Sequence, residues 1–307
     1  MSSLSEIPAP LNLADFSQRL MALEPGARVG VAFSGGPDSL ALLILATQWA
    51  AKSNKRFVVA LSVDHGLRAE AAAEAKHCAA IARSLGVEHH ILHWRGDKPK
   101  SGIQAGARQA RYRLLEQACV RHKLDSLLVA HHLEDQAETF LLRLARGSGV
   151  DGLAGMASSR WLVDAQGMPS VRLLRPLLDV ARDALHAVVA KSKLKAIQDP
   201  SNENPKFDRV KVRQMATALS SLGLSPRRLA DTATHMARAR QALDAQGDAF
   251  FQGSSKLHAT GCVEIDVEAF LALPQEIAFR VLASVLKCGG ASAYPPRCEA
   301  LIGMFNG

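Results

Sequence analysis

The stretch SGGPDS, residues 34–39, brings two hydroxyl groups, two glycines and one carboxylate together between two apolar runs. Glycines allow the backbone to approach a bound group closely, and the unpaired N–H groups at a helix N-terminus favour anions. Asp38 stands where a helix is expected to begin, so its carboxylate can cap that helix or hold Mg²⁺ against a phosphate. No lysine follows the glycines, which excludes the GxxxxGK[ST] loop of kinases and GTPases. The alternatives are a plain capped turn and a phosphate-binding loop, and the sequence favours the loop.

A second group of polar residues forms the stretch AHHLEDQAET, residues 130–139. Asp135 and Glu138 are three residues apart, so their carboxylates share one face of a helix, where they can bind Mg²⁺ or hold an ammonium group. His131 can act as a general base or as a polarising hydrogen-bond donor. The spacing does not give the HExxH zinc pattern. A helix that only presents acids to water is the alternative, but the apolar turn that follows argues against it.

Two other segments carry candidate binding residues. Asp64 and His65 follow an apolar run at the position where a nucleotide-binding sheet meets the adenosine, and simple helix capping is the alternative. Arg108 and Arg111 share one helix face and can converge on an anion, the alternative being a solvated basic stripe. The stretch GSGVDG, residues 147–152, formally fits the dinucleotide fingerprint GxGxxG. It follows a predicted helix and not a strand, so we interpret it as a loop without that role.

These residues need a scaffold, and the apolar pattern supplies one. Short β-branched runs alternate with longer helical patterns, which is typical of a parallel sheet covered by helices on both faces. Ligands of such sheets bind beyond the carboxyl ends of the strands. The predicted strands are Val29–Phe33, Phe57–Val63, His89–Trp94, Ser126–Ala130 and Val171–Leu174. The predicted helices of this region are Asp38–Ala51, Ala69–Leu85, Gln104–His122, Leu133–Ala145 and Val180–Lys191.

The pattern changes after the turn-rich segment at residues 199–205. Beyond it we predict a helix from Pro226 towards Ala245, a short strand at Cys262–Val267 and a helix at Glu268–Lys287. The sequence therefore predicts an α/β fold with a five-stranded parallel sheet in residues 1–215. A small, mostly helical domain is predicted for residues 216–307.

Charge and cysteine content restrict the function. The chain of 307 residues has a net charge of +8, and residues 182–240 hold twelve Lys or Arg against five Asp or Glu, which is typical of a polyanion-binding face or a solvated basic one. Five scattered cysteines include no CxxC pair, which favours reduced thiols in a cytoplasmic protein. No stretch reaches the ~18 apolar residues of a membrane span, and the first twenty residues lack a secretory signal pattern, so no membrane partner is expected.

Together these segments resemble the tRNA(Ile)-lysidine synthetase family of the N-type ATP pyrophosphatases, which carry a PP-loop. Seven motifs between residues 29 and 213 occur in that family's order and approximate spacing: SGGPDS, DHGLR, ARQARY, AHHLEDQAET, RGSG, LLRPLL and DPSNENPKFDRVKVR. SGGxDS indicates only the superfamily, whereas HHLEDQAET with the later DPSN block is much narrower. The resemblance implies a Rossmann-like PP-loop domain that uses ATP and Mg²⁺. It also implies a two-step reaction on the wobble cytidine of tRNA(Ile) with a CAU anticodon.

In that reaction ATP first adenylates the cytidine at C2 and releases pyrophosphate, and free L-lysine then displaces AMP to give lysidine. Catalytic roles are implied for Asp38, Arg111, His131 and Asp135, with Mg²⁺ held by Asp38 and Asp135. ATP binding is assigned to Ser34, Gly35, Gly36, Pro37, Asp38, Ser39, Asp64 and His65. Lysine binding is assigned to Asp135 and Glu138, and tRNA binding to Arg108, Lys206, Arg209, Lys211 and Arg213.

Four points remain open at this stage. Glu134 stands where family members commonly have aspartate, and many relatives carry a further C-terminal domain. The superfamily allows a homodimer. Another PP-loop tRNA-modifying enzyme, such as a 2-thiolation enzyme, and a non-catalytic tRNA- or nucleotide-binding protein are the alternatives. The absence of a CxxC pair argues against the first, and the acidic pair with Asp38 argues against the second.

Overall fold

A computed structural model describes residues 9–66, 71–95, 102–197, 208–258 and 263–289. The predicted tRNA-binding residue Lys206 and the turn-rich segment before it lie outside the described residues. The chain forms two compact units, one of residues up to 146 together with 155–231, the other of 147–154 together with those from 232 onward. The predicted division into domains at residue 215 stays a prediction.

The first unit is built on a six-stranded sheet in the order β3-β2-β1-β4-β6-β5. The strands are β1 Arg28–Ala32, β2 Phe57–Asp64, β3 Glu88–His93, β4 Ser126–Leu128, β5 Ser159–Val163 and β6 Pro169–Leu174. Five of them are parallel, and β5 pairs with β6 in the antiparallel direction. The predicted α/β class is confirmed. The sheet has one strand more than predicted, because β5 adds an antiparallel edge whose sequence is mostly exposed.

Helices cover both faces of this sheet. Within the described ranges the chain forms α1 Leu13–Met21, α2 Pro37–Ala50, α3 Ala71–Ser84, α4 Ile103–Arg121, α5 Leu133–Leu144, α6 Val150–Leu153, α7 Arg182–Ser192, α8 Asp208–Gln214, α9 Ala216–Ser221, α10 Pro226–Ser254, α11 Val267–Leu271 and α12 Gln275–Gly289. No helix in these ranges is both long and apolar enough to cross a bilayer. Residues 147–152 follow α5, as predicted, and their second half forms the start of α6.

Two apolar clusters, one on each face, hold the sheet and its helices together. Leu128 of β4 packs on the side of α2 and α7, whereas its neighbour Leu127 packs on the side of α4. Consecutive strand residues therefore face opposite layers, as the period of a β-strand requires. Helix α2 is buried along most of its length, with Leu40, Leu43 and Trp49 fully enclosed. Each such side chain contributes about 1.5–3 kcal/mol on burial, so α2 holds the loop before it firmly in place.

The second unit contains α6, most of α10, α11, α12 and a two-stranded antiparallel sheet of β7 Ser255–Leu257 and β8 Val263–Ile265. Phe250, Ile277 and Val281 form the centre of its small core. The single helix predicted over residues 268–287 is wrong, because Pro274 divides it into α11 and α12. Proline has no N–H with which to continue α11, and its carbonyl oxygen accepts the first hydrogen bonds of α12.

Candidate active site

The SGGPDS segment forms the turn between β1 and the N-terminus of α2, as its pattern predicts. Gly35 adopts φ +82°, which only glycine adopts at little cost, and its carbonyl oxygen accepts a hydrogen bond of 2.9 Å from the Ile197 N–H. Gly36 is the N-cap of α2 with Pro37 at the first helical position. The Ser39 hydroxyl donates to the Gly36 carbonyl at 2.9 Å and lies 3.1 Å from the Ser34 hydroxyl. Because no side chain caps α2, its first N–H groups are available to an anion.

Asp38, at the start of α2, stands between two histidines. Its Oδ2 lies 3.6 Å from Nε2 of His132, and its Oδ1 lies 3.4 Å from Nε2 of His186. Burial raises the pKa of Asp38, but the interaction with His132 and the proximity of His186 and Arg182 outweigh it, so that the pKa is lowered. Asp38 Oδ1 is buried, and beyond its contact with His186 it accepts no hydrogen bond from the described residues. A carboxylate oxygen in that state is suited to a cation.

His132, the N-cap of α5, connects three carboxylates. Its Nδ1 lies 2.9 Å from Oε2 of Glu134. Its Nε2 lies 3.5 Å from Oδ2 of Asp135 and 3.6 Å from Oδ2 of Asp38. Burial lowers the pKa of His132, yet Asp38, Glu134 and Asp135 together raise it to about 10. The same Glu134 oxygen accepts the backbone N–H of Arg182 at 3.0 Å, at the beginning of α7. Glu134 therefore links the N-terminus of α7 to the imidazolium of His132.

His131, the preceding residue, has the opposite character. Burial and the charges of Arg175, Arg108, Arg111 and Arg209 lower its pKa well below the usual value, so its imidazole is neutral at physiological pH. Its Nδ1 is buried and has no hydrogen-bond partner in the described part of the chain. His131 thus faces a group of guanidinium ions with one nitrogen available to a ligand.

Arg175, after β6, is the most enclosed of these cations. It is only 5% exposed, and one of its terminal nitrogens donates to the Ala157 carbonyl at 2.6 Å. Burial lowers the pKa of Arg175 to about 10. Nearby, the guanidinium groups of Arg108 and Arg160 lie 5.1 and 5.0 Å from the ring centre of Tyr112. Such stacking holds both guanidinium groups against Tyr112, a residue of α4, without neutralising their charge.

Asp135 and Glu138 share one face of α5, as their spacing predicts, and both are buried. Asp135 Oδ2 accepts the backbone N–H of His132 at 3.1 Å, and Asp135 Oδ1 lies 3.9 Å from Arg209. Glu138 pairs with Arg213 through contacts of 2.6 and 3.4 Å. The two carboxylates that are predicted to bind lysine therefore pair with two arginines of α8 that are predicted to bind tRNA.

The remaining candidates lie further from this centre. Asp64, at the carboxyl end of β2, accepts the Gly66 N–H at 2.7 Å and approaches Nδ1 of His93 at 3.2 Å. The ring of the adjacent His65 packs edge-on against Trp94. Lys211 pairs with Asp208 at 3.4 Å on the exposed side of α8. ATP binding by Asp64 and His65 and tRNA binding by Lys211 stay predictions.

The structure therefore brings the predicted residues Asp38, Arg108, Arg111, His131, Asp135, Glu138, Arg209 and Arg213 into one network at the carboxyl edge of the sheet. Sequence reasoning missed His132, Arg175 and His186, and it noted Glu134 without assigning it a role. The His-His pair before the acidic helix was the signal for His132, and the arginine within LLRPLL was the signal for Arg175. Chemically, the network offers a loop and guanidinium groups for phosphates, carboxylates for cations and a neutral imidazole.

Comparison with known proteins identifies the family to which the chain belongs. Residues 12–219 match a family model described as a PP-loop domain. The chain is 43% identical over 276 residues to the tRNA(Ile)-lysidine synthase of Rhodopseudomonas palustris, an alignment covering 88% of this chain and 78% of that protein. It is 40% identical over 280 residues to the protein of that name from Wolbachia pipientis, an alignment covering 91% of this chain but only 64% of the relative.

A solved structure shares the fold. The U34-tRNA thiolase NcsA from Methanococcus maripaludis, with its [4Fe-4S] cluster, superposes with a TM-score of 0.58 at 18% identity, over 75% of this chain and 77% of that one. At this identity the likeness supports the fold alone.

Proposed function

We propose, because the chain belongs to the tRNA(Ile)-lysidine synthase family of PP-loop proteins, that it ligates free L-lysine to the wobble cytidine of tRNA(Ile) with a CAU anticodon. In the first step the O2 oxygen of the cytidine bonds to the α-phosphorus of ATP, and the bond from that phosphorus to pyrophosphate breaks. In the second, the ε-amino nitrogen of lysine bonds to C2, the C2–O bond breaks, AMP leaves and the amine loses its proton.

The observation that carries the proposal is the neutral His131 among guanidinium groups, in the network that also holds Asp38 of the PP-loop. Adenylation needs positive charge opposite the phosphates and a group that stays uncharged beside the base. The guanidinium groups of Arg111 and Arg175 supply that charge, and His131 can donate or accept a hydrogen bond at the reacting base. A protein that only bound tRNA would have no need of this combination.

Mg²⁺ fits the carboxylate of Asp38. Its Oδ1 is buried without a hydrogen-bond partner among the described residues, and carboxylate oxygens are the ligands that Mg²⁺ prefers. When bound, the ion would neutralise charge on the pyrophosphate leaving group. His132 and His186 hold the Asp38 side chain at the mouth of the loop, and Asp135 is the second proposed ligand.

The lysine site would be formed by Asp135 and Glu138 together with α8. A free amino acid carries both an ammonium and a carboxylate, so it can replace an existing ion pair without leaving either partner uncompensated. The Glu138–Arg213 pair, with a shortest contact of 2.6 Å, is suited to such an exchange. The ammonium groups of the bound lysine would pair with the carboxylates of Asp135 and Glu138. The guanidinium of Arg213 would pair with the carboxylate of that lysine.

The tRNA backbone would lie along the basic segment that includes α8. Arg209 and Lys211 are partly exposed on that helix, and Arg108 lies at the beginning of α4. Such contacts position the anticodon without reading its sequence. We place the reaction in the cytoplasm, where tRNA, ATP and free lysine occur together.

The test is ligation itself. The purified chain is incubated with Mg-ATP, radiolabelled lysine and bulk bacterial tRNA, and label in the RNA is counted. We expect incorporation that depends on ATP and is confined to tRNA(Ile) with the CAU anticodon. Asp38→Ala should abolish it, whereas Asp208→Ala, at an exposed carboxylate of α8, should not.

Absence of label with intact tRNA binding would overturn the proposal. Activity with a sulfur donor in place of lysine would support the thiolation alternative instead. No observation among the described residues favours that alternative, because Cys78 and Cys119 are both buried and burial raises their pKa to about 11 and about 12.

A further inference from the structure

Glu88, His90 and His122 form a cluster on the opposite side of the first unit from the candidate active site. Glu88 and His90 are at the amino end of β3, which is the edge strand of the sheet, and side chains two residues apart in a strand point to the same face. His122 is the C-cap of α4, the helix that returns from the carboxyl edge to this end of the sheet. The proposed reaction uses none of these residues.

Their potential ligand atoms already converge. Nε2 of His90 lies 2.8 Å from Oε1 of Glu88, and the imidazole rings of His90 and His122 are stacked with their centres 3.9 Å apart. One ligand atom from each of the three residues lies within 4.8 Å of the other two. Ligands of one tetrahedral ion lie about 3.3–3.6 Å apart, since each lies about 2.0–2.2 Å from the metal. Side-chain rotations that shorten the longest of these separations by about 1.5 Å would bring all three onto one ion.

The electrostatic surroundings suit a divalent cation. The last carbonyl groups of a helix carry partial negative charge, and His122 stands at the end of the 19-residue helix α4. Arg121 and Arg28 are opposing charges, and the guanidinium of Arg28 donates to the carbonyl oxygens of His122 and Lys123 at 3.3 and 3.1 Å.

We propose that Glu88, His90 and His122 bind a divalent transition-metal ion of the Zn²⁺ class. Two imidazoles and one carboxylate are a ligand set that zinc uses where one position is left to water, and the exposure of Glu88 leaves room for that water. Mg²⁺ is excluded as the ion, because it takes oxygen ligands and dehydrates reluctantly. A bound ion would join the edge strand to the end of α4.

The experiment measures metal binding directly on the metal-free full chain. Co²⁺ is titrated and followed by its visible absorption, Zn²⁺ is then used to displace it, and stoichiometry is checked by elemental analysis after dialysis. The variants are His90→Ala, His122→Ala and Glu88→Gln. His77→Ala is the control, because His77 is an exposed histidine outside the cluster that bonds to the Lys195 carbonyl oxygen.

A second control separates this site from the candidate active site, where histidines and carboxylates also meet. The titration is made in excess Mg²⁺, which fills the site proposed at Asp38 and Asp135, so Asp38→Asn should leave the Co²⁺ spectrum unchanged. Under these conditions we expect one equivalent of Co²⁺ with a tetrahedral spectrum, displacement by Zn²⁺, and at least a tenfold loss of affinity in each cluster variant. Thermal unfolding in EDTA confirms that the variants fold.

Two results would overturn the proposal. The first is that His90→Ala and His122→Ala bind Co²⁺ as tightly as the unchanged chain, and the second is that Asp38→Asn no longer binds Co²⁺. Absence of any Co²⁺ binding by the folded chain would overturn it as well. None of these outcomes bears on the ligation proposed above, because the cluster contacts none of the residues assigned to that reaction.

Discussion

Gly35 is the residue on which the shape of the PP-loop depends most, so Gly35→Ala is the sharpest test of the loop geometry. Its φ of +82° places an alanine in the left-handed region, which costs about 1–2 kcal/mol. The new Cβ would also lie 2.4 Å from Cδ1 of Ile197 and 2.9 Å from Sγ of Cys78. Overpacking of this kind costs about 1–3 kcal/mol, towards the lower end here because the Ile197 atom is at the tip of a side chain. We therefore expect a total loss of about 2–3 kcal/mol in the free energy of unfolding.

The neighbouring glycine provides the matched control. Gly36 has φ −68°, and a Cβ there would come no closer than 3.7 Å to Ser34 Oγ. Gly36→Ala should therefore cost no more than about 1 kcal/mol, mainly through the poorer N-cap. Urea unfolding is followed by tryptophan fluorescence, to which the buried Trp49 on α2 contributes. Equal losses for the two variants would refute the reasoning.

A double-mutant cycle separates the two causes of the Gly35→Ala loss. If the clash contributes, Gly35→Ala combined with Ile197→Ala should lose less than the sum of the single variants, by about 1 kcal/mol. Strict additivity would show that the φ strain alone accounts for the effect. In that case the close approach of Ile197 to the loop would have no energetic consequence.

Three further predictions concern the carboxylate network. Asp38→Asn should reduce tRNA-dependent ATP–pyrophosphate exchange by at least about 100-fold while filter binding of tRNA is retained; unchanged exchange would refute the role of Asp38. Because the pKa of His132 is raised from 6.5 to about 10, the folded chain keeps a proton that the unfolded chain releases, so stability should decline as the pH rises through that interval. His132→Gln should flatten this decline in urea unfolding, and an identical slope would contradict the assignment. Arg213→Ala leaves the buried Glu138 without its partner and should cost about 1–3 kcal/mol, whereas Lys211→Ala, at an exposed pair, should cost less than about 0.5 kcal/mol; similar losses in thermal unfolding would show that the Glu138 pair is not special.

The strands that are buried on both faces were predictable from sequence, and the exposed one was not. Residues 29–33 form an apolar run because β1 has helices on both sides. In β5 only Leu162 is fully buried, so the strand shows neither an apolar run nor a clear alternation. The turn that follows did leave a signal, since Asp164 accepts the backbone N–H groups of Gln166 and Met168. Helix α1 likewise begins with a capping Asn12, which a search for helix starts could have found.

The site was predictable as far as single segments determine it. The SGGPDS turn and the shared face of Asp135 and Glu138 follow from local spacing alone. His186 lies within an ordinary apolar helix pattern, and only the packing of α7 on α2 brings it to Asp38. The pairing of Glu138 with Arg213 joins residues 75 positions apart. Such contacts arise from the tertiary fold, and no local pattern encodes them.

His131 and His132 show why residue type and position do not determine chemical role. The two are adjacent in sequence, yet one has a pKa well below the usual value and the other a pKa raised to about 10. The extended backbone at the N-cap of α5 turns His132 towards three carboxylates and leaves His131 among arginines. A charged His131 would repel those arginines, and a neutral His132 would leave the carboxylates to repel one another. The charge state of each histidine is therefore a condition for assembling its side of the site, which supports the proposed proton chemistry or polarisation by His131 and a structural role for His132.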